Sequence, residues 1–190
     1  MADQDVEQEV TPEKPDVVEE ICDWINSVLF GIFVVLIIFT FVVKQVRVDG
    51  SSMEPTLETG QRLFVSNWFY TPENGDIVVA KSESLNKDII KRVIAKEGQV
   101  VDIDFANGIV YVDGEQLYEP YIKDLTKRDD EYGHDYPVTV PKDCYFVMGD
   151  NRMNSKDSRS PEVGFINNKD IFGKAIFRWL PIKKFGGLYD

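Results

Sequence analysis

Histidine and cysteine are nearly missing from this chain of 190 residues. The one histidine, His134, leaves any His-rich metal site or His-based relay with a single candidate. Two cysteines, Cys22 and Cys144, are too few for a disulfide framework. They also flank the only long apolar run, so they cannot pair within one chain if that run crosses a bilayer. No basic stripe is present and the formal net charge is −12, which argues against nucleic acid as a partner. Long amphipathic helices, internal repeats and low-complexity tracts are absent too. The apolar share, 43%, is ordinary and can supply a core.

The charge that is present is unevenly placed. Residues 1–23 hold nine acidic side chains and only Lys14 against them, without a usable apolar period. Such a segment buries too little to offset its ordering entropy, so a disordered acidic tail is expected, with Glu19 to Asp23 able to begin the next helix. Residues 24–43 carry no charge, and twenty residues span about 30 Å as a helix. Trp24 suits an interfacial anchor. A buried core helix is seldom apolar on every face. A cleavable signal peptide fits poorly, because the leading region is acidic, the run is long and no small-x-small site follows Val43. The expectation is one permanent transmembrane helix over 24–43. Lys14 before it, against Lys44 and Arg47 after it, leans towards a cytoplasmic C-terminal domain, though counts this small leave the side open.

Beyond the run the period falls to two and β-branched residues rise, which predicts strands. They are expected at Gln45–Val48, Leu63–Ser66, Ile77–Lys81, Asp88–Lys96, Gln99–Asp104, Ile109–Val112, Cys144–Met148 and Lys174–Trp179. Turn signals separate them at Asn74-Gly75, Glu97-Gly98, Asn107-Gly108 and Asp113-Gly114. Asn107-Gly108 fits a hairpin turn, since both residues tolerate positive φ. Residues 123–137 read as an exposed connection, with His134 a solvated loop residue among charges. The aromatic group Asn67-Trp-Phe-Tyr70 suits a membrane interface or core packing equally. The fold class is mainly β, an antiparallel-sheet domain over 44–190.

Three stretches carry possible chemistry. Asp49-Gly50-Ser51-Ser52-Met53-Glu54-Pro55-Thr56-Leu57 places Ser52 nine residues after Val43, within roughly 30 Å of the end of the apolar run. Gly50 permits unusual backbone angles, and Pro55 biases Glu54 away from helix. Such a bend can present a serine with amides preset for an oxyanion, although by composition alone it is first a plain turn. A serine nucleophile needs a base. In Asp88-Ile-Ile-Lys-Arg-Val-Ile-Ala95, period two puts Lys91 on a face with Ile89, Val93 and Ala95. Desolvation there would ease loss of its proton, whereas a snorkelling head would stay charged. Gly149 to Arg159, rich in Asp, Asn, Arg and Ser, is either a hydrogen-bonded scaffold or a solvated loop. It lacks the ligand alternation and central glycine of a calcium loop.

Together these segments resemble the type I signal peptidase family, membrane-bound serine proteases that release signal peptides from exported proteins. Ser52 to Leu57 resembles the nucleophile box, Gly75-Asp76-Ile77-Val78-Val79 the next strand, Lys91 to Ala95 the general-base box and Gly149 to Arg159 the last box. All four stand in family order, and the single span resembles the Gram-positive form. The resemblance implies Ser52 as nucleophile, neutral Lys91 as general base and Ser155 as the residue orienting the Lys91 amine. It implies an Asp157–Arg159 supporting ion pair with Asp150 nearby in the scaffold, and the Ser52 amide as one oxyanion donor. Gly50 stands where the two-span enzymes have a serine hydroxyl as second donor, so that donor must be a backbone amide, a water or another group. Small substrate residues at −1 and −3 would meet shallow apolar pockets lined by Val48, Met53, Leu57, Ile89 and Ile90. The implied partners are signal peptides of exported preproteins and the lipid bilayer, with no nucleic acid, cofactor or metal. The tail would lie in the cytoplasm and the catalytic domain outside. The rival readings are a self-cleaving Ser/Lys peptidase and a non-catalytic membrane-anchored β-domain that binds a partner.

Overall fold

The computed structural model describes residues 17–41, 43–68, 70–129 and 133–189. Most of the acidic tail, residues 1–16, therefore lies outside the described residues, as do Phe69 and residues 130–132 of the expected connection.

Helix α1 spans Val17–Phe41, longer at its start than the apolar run. The helix takes in Glu19 to Asp23, as the sequence allowed, and also Val17 and Val18, with Glu19 and Glu20 in the first turn favouring the positive end of the helix dipole. The Ser27 hydroxyl donates to the Asp23 carbonyl at 2.8 Å, which satisfies a polar group inside the apolar stretch. Large apolar side chains project unburied on all sides, Trp24 at 69% and Phe30 at 67% exposure among them. A helix apolar all round and uncovered by protein is matched to hydrocarbon rather than water. It is the one helix among the described residues long and apolar enough to cross a membrane.

The remainder is built from eleven strands: β1 Val43–Arg47, β2 Arg62–Ser66, β3 Ile77–Ser82, β4 Lys87–Lys96, β5 Val100–Asp104, β6 Ile109–Val112, β7 Glu115–Gln116, β8 Val138–Thr139, β9 Cys144–Met148, β10 Ile166–Asn167 and β11 Ile171–Leu180. Seven form a sheet in the order β1-β2-β11-β3-β4-β9-β10, and four form a second in the order β7-β6-β5-β8. Every pairing is antiparallel. All eight expected strands are present, with ends shifted by a few residues. Val43, expected to close the helix, instead opens β1 opposite Ser66, where its β-branched side chain suits a strand. Strands β7, β8 and β10 were not expected, since two residues show no alternation.

The Asn107-Gly108 hairpin forms, but only Gly108 takes positive φ, and Asn107 instead bonds Asp104 through its side chain. The tight two-residue turn is Asp113-Gly114, with φ of 54° and 81° at the two positions, between β6 and β7.

Alternation along β3 divides the core. Ile77 and Val79 join Met53, Leu57, Leu63 and Val65 on one face, while Val78 and Ala80 join Ile89, Val93 and Val147 on the other. A third cluster ties the small sheet to β4 and β9 through Ile94, Ala95, Phe146 and Met148. Strand β4, buried along most of its length between β3 and β9, is thus the rigid middle of the domain.

Candidate active site

The stretch between β1 and β2 is a short turn fastened at both ends. Val48 N–H donates to the Gln61 carbonyl at 2.8 Å, and Gly60 N–H returns to the Val48 carbonyl at 2.9 Å. Within it, Glu54 N–H reaches the Ser51 carbonyl and Leu57 N–H the Met53 carbonyl. Gly50 enters the turn at φ +95°, a conformation that needs glycine. Met53 and Leu57 are buried beneath as anchors, which leaves Ser52 partly exposed above them.

Lys91 comes to that serine from β4. Register sets it opposite Val78, and Ile89 and Val93, two positions away on either side, share the apolar cluster of Val78. This is the face expected from period two, except that a bulge between Val93 and Ala95 moves Ala95 into the neighbouring cluster. Lys91 is 4% exposed, so its head does not snorkel to water. Its Nζ lies 2.7 Å from Ser52 Oγ and 3.2 Å from the Ile90 carbonyl. Burial pushes the Lys91 pKa down to about 8, against the pull of the Asp157 and Asp150 carboxylates, with the Lys87 and Arg159 charges adding to the fall. Once the amine is neutral the same contact reverses, and the hydroxyl donates to Nζ. That is the geometry for general-base activation of a serine.

The polar loop after β9 is a scaffold, not a solvated surface. Asp157 receives Arg159 Nε and Nη2 at 2.8 and 2.9 Å, both residues almost wholly buried, and accepts Gly149 N–H at 2.9 Å. Burial disfavours the Asp157 charge, but Arg159 and these hydrogen bonds hold its carboxyl below the usual range. Asp150 is also fully buried. It pairs with Arg92 Nε and Nη2 at 2.9 and 2.7 Å and accepts the Thr56 hydroxyl at 2.5 Å. The Arg92 guanidinium lies 3.9 Å from the Tyr121 ring centroid. Arg152, with no exposed surface, is paired with Glu119 and bonds Thr126 Oγ1 at 2.7 Å and the Gly149 carbonyl at 3.0 Å. Glycine is required at 149 by close approach, since a Cβ there would collide with Ser155 Oγ and the Ser52 carbonyl.

Ser155 departs from its expected bonding. Its Oγ is buried and helps hold the Asp157 carboxylate ionised, yet it makes no full hydrogen bond, and none to Lys91. Its Oγ and Cβ lie packed against Gly149.

A cleft of about 520 Å³ opens beside the pair, and Val48, Gly50, Ser52, Met53, Ile89, Ile90 and Lys91 all line it. Leu57, expected in the lining, is not there; it is 0% exposed, packed in the core below the turn. A second cavity of about 450 Å³, lined by Pro55, Arg92, Tyr121 and Arg178, holds neither Ser52 nor Lys91. Ser52 N–H and Gly50 N–H meet no protein acceptor among the described residues. No group of three metal-ligating side chains occurs among the described residues.

His134 is not the solvated residue expected. Its ring packs 4.6 Å from that of Phe165 and near Tyr136 and Phe146, and burial lowers its pKa. Trp68 is exposed, whereas Tyr70 packs inward and donates to Asp76 at 2.6 Å. Cys22 and Cys144 are both free.

Arg92, Thr56, Glu119, Arg152 and Asn151 were not singled out from the sequence. Arg92, Thr56, Asn151 and Arg152 lie inside the resembling boxes, and the alternation that turns Lys91 to one face turns Arg92 to the other. Glu119 gave no signal.

A serine at hydrogen-bond distance from a buried, weakly basic lysine, on an antiparallel scaffold, is an arrangement fitted to serine hydrolase chemistry with lysine as the base. The chain belongs to the signal peptidase family, peptidase S26, whose profile matches residues 21–180. It is 38% identical to signal peptidase I P of Bacillus subtilis subsp. natto over 172 residues, 86% of this chain and 91% of that protein. It is 36% identical to signal peptidase I T of Bacillus subtilis strain 168 (85% of this chain, 86% of that protein). With signal peptidase IB of Staphylococcus aureus strain COL it shares 34% identity (88% and 93%). A crystal structure of a signal peptidase I from Enterococcus faecalis V583 matches at 28% identity and a TM-score of 0.45, over 55% of this chain and 97% of that one.

Proposed function

We propose that this protein is a membrane-bound serine endopeptidase that removes signal peptides from exported preproteins, with Ser52 as nucleophile and neutral Lys91 as general base. The observation that carries the proposal is the 2.7 Å contact between Ser52 Oγ and the Nζ of a lysine buried to 4% exposure. Lys91 takes the hydroxyl proton as Oγ bonds to the scissile carbonyl carbon. The Ser52 amide faces the developing oxyanion. Collapse breaks the C–N bond, and the Lys91 ammonium returns its proton to the leaving amine. Water then loses a proton to Lys91 as it attacks the ester carbon, and collapse breaks the C–Oγ bond while Lys91 returns that proton to Ser52 Oγ.

Asp157–Arg159 and Asp150–Arg92 hold the loop that braces the nucleophile turn, and Ser155, buried in the same loop, is the residue to orient the Lys91 amine. Val48, Met53, Ile89 and Ile90 offer apolar walls suited to small side chains at −1 and −3. Helix α1 crosses the bilayer with the acidic tail in the cytoplasm and the β domain outside. Substrates that are exported preproteins support this orientation, against the lean of Lys44 and Arg47.

The detergent-solubilised full chain is expected to cut a synthetic preprotein peptide after Ala-x-Ala and to stop when the −1 alanine is replaced by leucine. Equal cutting of both peptides, or of neither by a folded sample, would overturn the proposal.

A further inference from the structure

One residue of the last box holds two consecutive carbonyls of the nucleophile turn. Asn151 Nδ2 donates to the Ser51 carbonyl at 3.0 Å, and Asn151 N–H donates to the Ser52 carbonyl, also at 3.0 Å. Asn151 is 4% exposed, so these contacts are shielded from water. Both peptide bonds concerned are trans. In a planar trans peptide the C=O and the next N–H point in opposite directions. Fixing the Ser51 carbonyl on Asn151 Nδ2, with Glu54 N–H at 3.2 Å as its second donor, therefore fixes the Ser52 N–H pointing away from Asn151, where no protein acceptor meets it among the described residues. Fixing the Ser52 carbonyl in the same way restrains the plane on the other side of the nucleophile's Cα. The two contacts together leave the Ser52 backbone little freedom to rotate.

We propose that Asn151 is a positioning residue for the Ser52 amide. No hydrogen bond joins it to Lys91 or Ser52 Oγ among the described residues. It sets the direction of the amide that must meet the oxyanion, an inference that rests on Ser52 being the nucleophile. Preset donors are effective because they need no reorganisation when charge develops, and a donor swung off line loses most of that value. Neither the Lys91 proton affinity nor the apolar walls of the cleft depend on the Asn151 side chain, so its removal leaves both in place.

The test uses the full chain in detergent, with Asn151→Ala and the volume-matched, donor-free Asn151→Leu. In both, kcat is expected to fall about 10- to 100-fold, as for misalignment rather than outright loss of one oxyanion donor. KM should stay within about twofold of wild type, and the ascending limb of the pH profile should not move. A peptide boronate, whose adduct on a serine carries the tetrahedral geometry, should weaken by the same factor as kcat/KM. A wild-type kcat in either folded variant overturns the inference. A loss expressed in KM or in a shifted limb does too, as does failure of both variants to fold, which would make Asn151 structural only. Lys91→Ala measured alongside separates the two levels: full activity there removes the dyad reading itself, whatever Asn151 does.

Discussion

Lys91→Ala is expected to lower kcat/KM by about 10⁴-fold or more, and Ser52→Ala by a similar factor, with the domain still folded in each. The serine hydroxyl is a poor nucleophile without a base, and among the described residues Lys91 Nζ is the group that meets Ser52 Oγ. His134, the one histidine, is held among aromatic rings and lines neither cavity described above. Residues acting as one unit are non-additive, so the double variant should be about as impaired as either single one.

Neither change removes a stabilising ion pair. Ser52 stands at the rim of the cleft, and Lys91 has no carboxylate partner among the described residues. Because its folded pKa lies below the unfolded value of about 10.4, burial of Lys91 opposes folding. That penalty is absent above the unfolded pKa, grows as pH falls towards about 8, and is complete below it. At neutral pH the melting temperature of Lys91→Met should therefore equal or exceed that of wild type. Activity assays with thermal melts check both parts. Substantial cutting by Lys91→Ala would remove lysine from the mechanism.

Asp157→Ala is expected to be the most destabilising single change at the site, by about 3–5 kcal/mol. It removes the buried carboxylate that pairs with the Arg159 guanidinium, 2% exposed, and it deprives Gly149 N–H of its acceptor. Breaking a buried pair on one side costs more than replacing both members by apolar groups, so Asp157→Leu combined with Arg159→Met should recover part of the loss. The milder Asp157→Asn has a second readout. The Asp157 charge is the foremost influence holding the Lys91 pKa up against burial, and Arg159 pushes it down. Removing the carboxylate charge lowers the Lys91 pKa further, so the ascending limb of activity moves to more acid pH. Urea unfolding gives the stability, and a pH profile gives the limb. A loss below about 1 kcal/mol for Asp157→Ala would mean that water reaches Arg159.

How much of this was legible in the sequence varies with how local each feature is. Lys91 on an apolar face follows from alternation within one strand, and its burial agrees. That Lys91 meets Ser52 does not follow from spacing; only the order of the boxes implied it. Arg92–Asp150 joins positions 58 apart, and which buried arginine takes which aspartate is settled by β4 lying next to β9. Leu57 was read as cleft lining because it sits in the nucleophile box. In fact Leu57 N–H bonds the Met53 carbonyl, and this helical bend turns both side chains to the core. His134 looked solvated because its sequence neighbours are charged, but Phe146 and Phe165, distant in sequence, enclose it.

The proton affinity of Lys91 is the centre of the account, and it can be titrated directly. In full-length enzyme labelled with ¹⁵N at the lysine side chains, the Nζ signal missing from Lys91→Met identifies the residue. That signal should titrate at about 8, together with the ascending limb of kcat/KM. A titration near the free lysine value of about 10.4, with activity already maximal below it, would contradict a neutral Lys91 acting as the base.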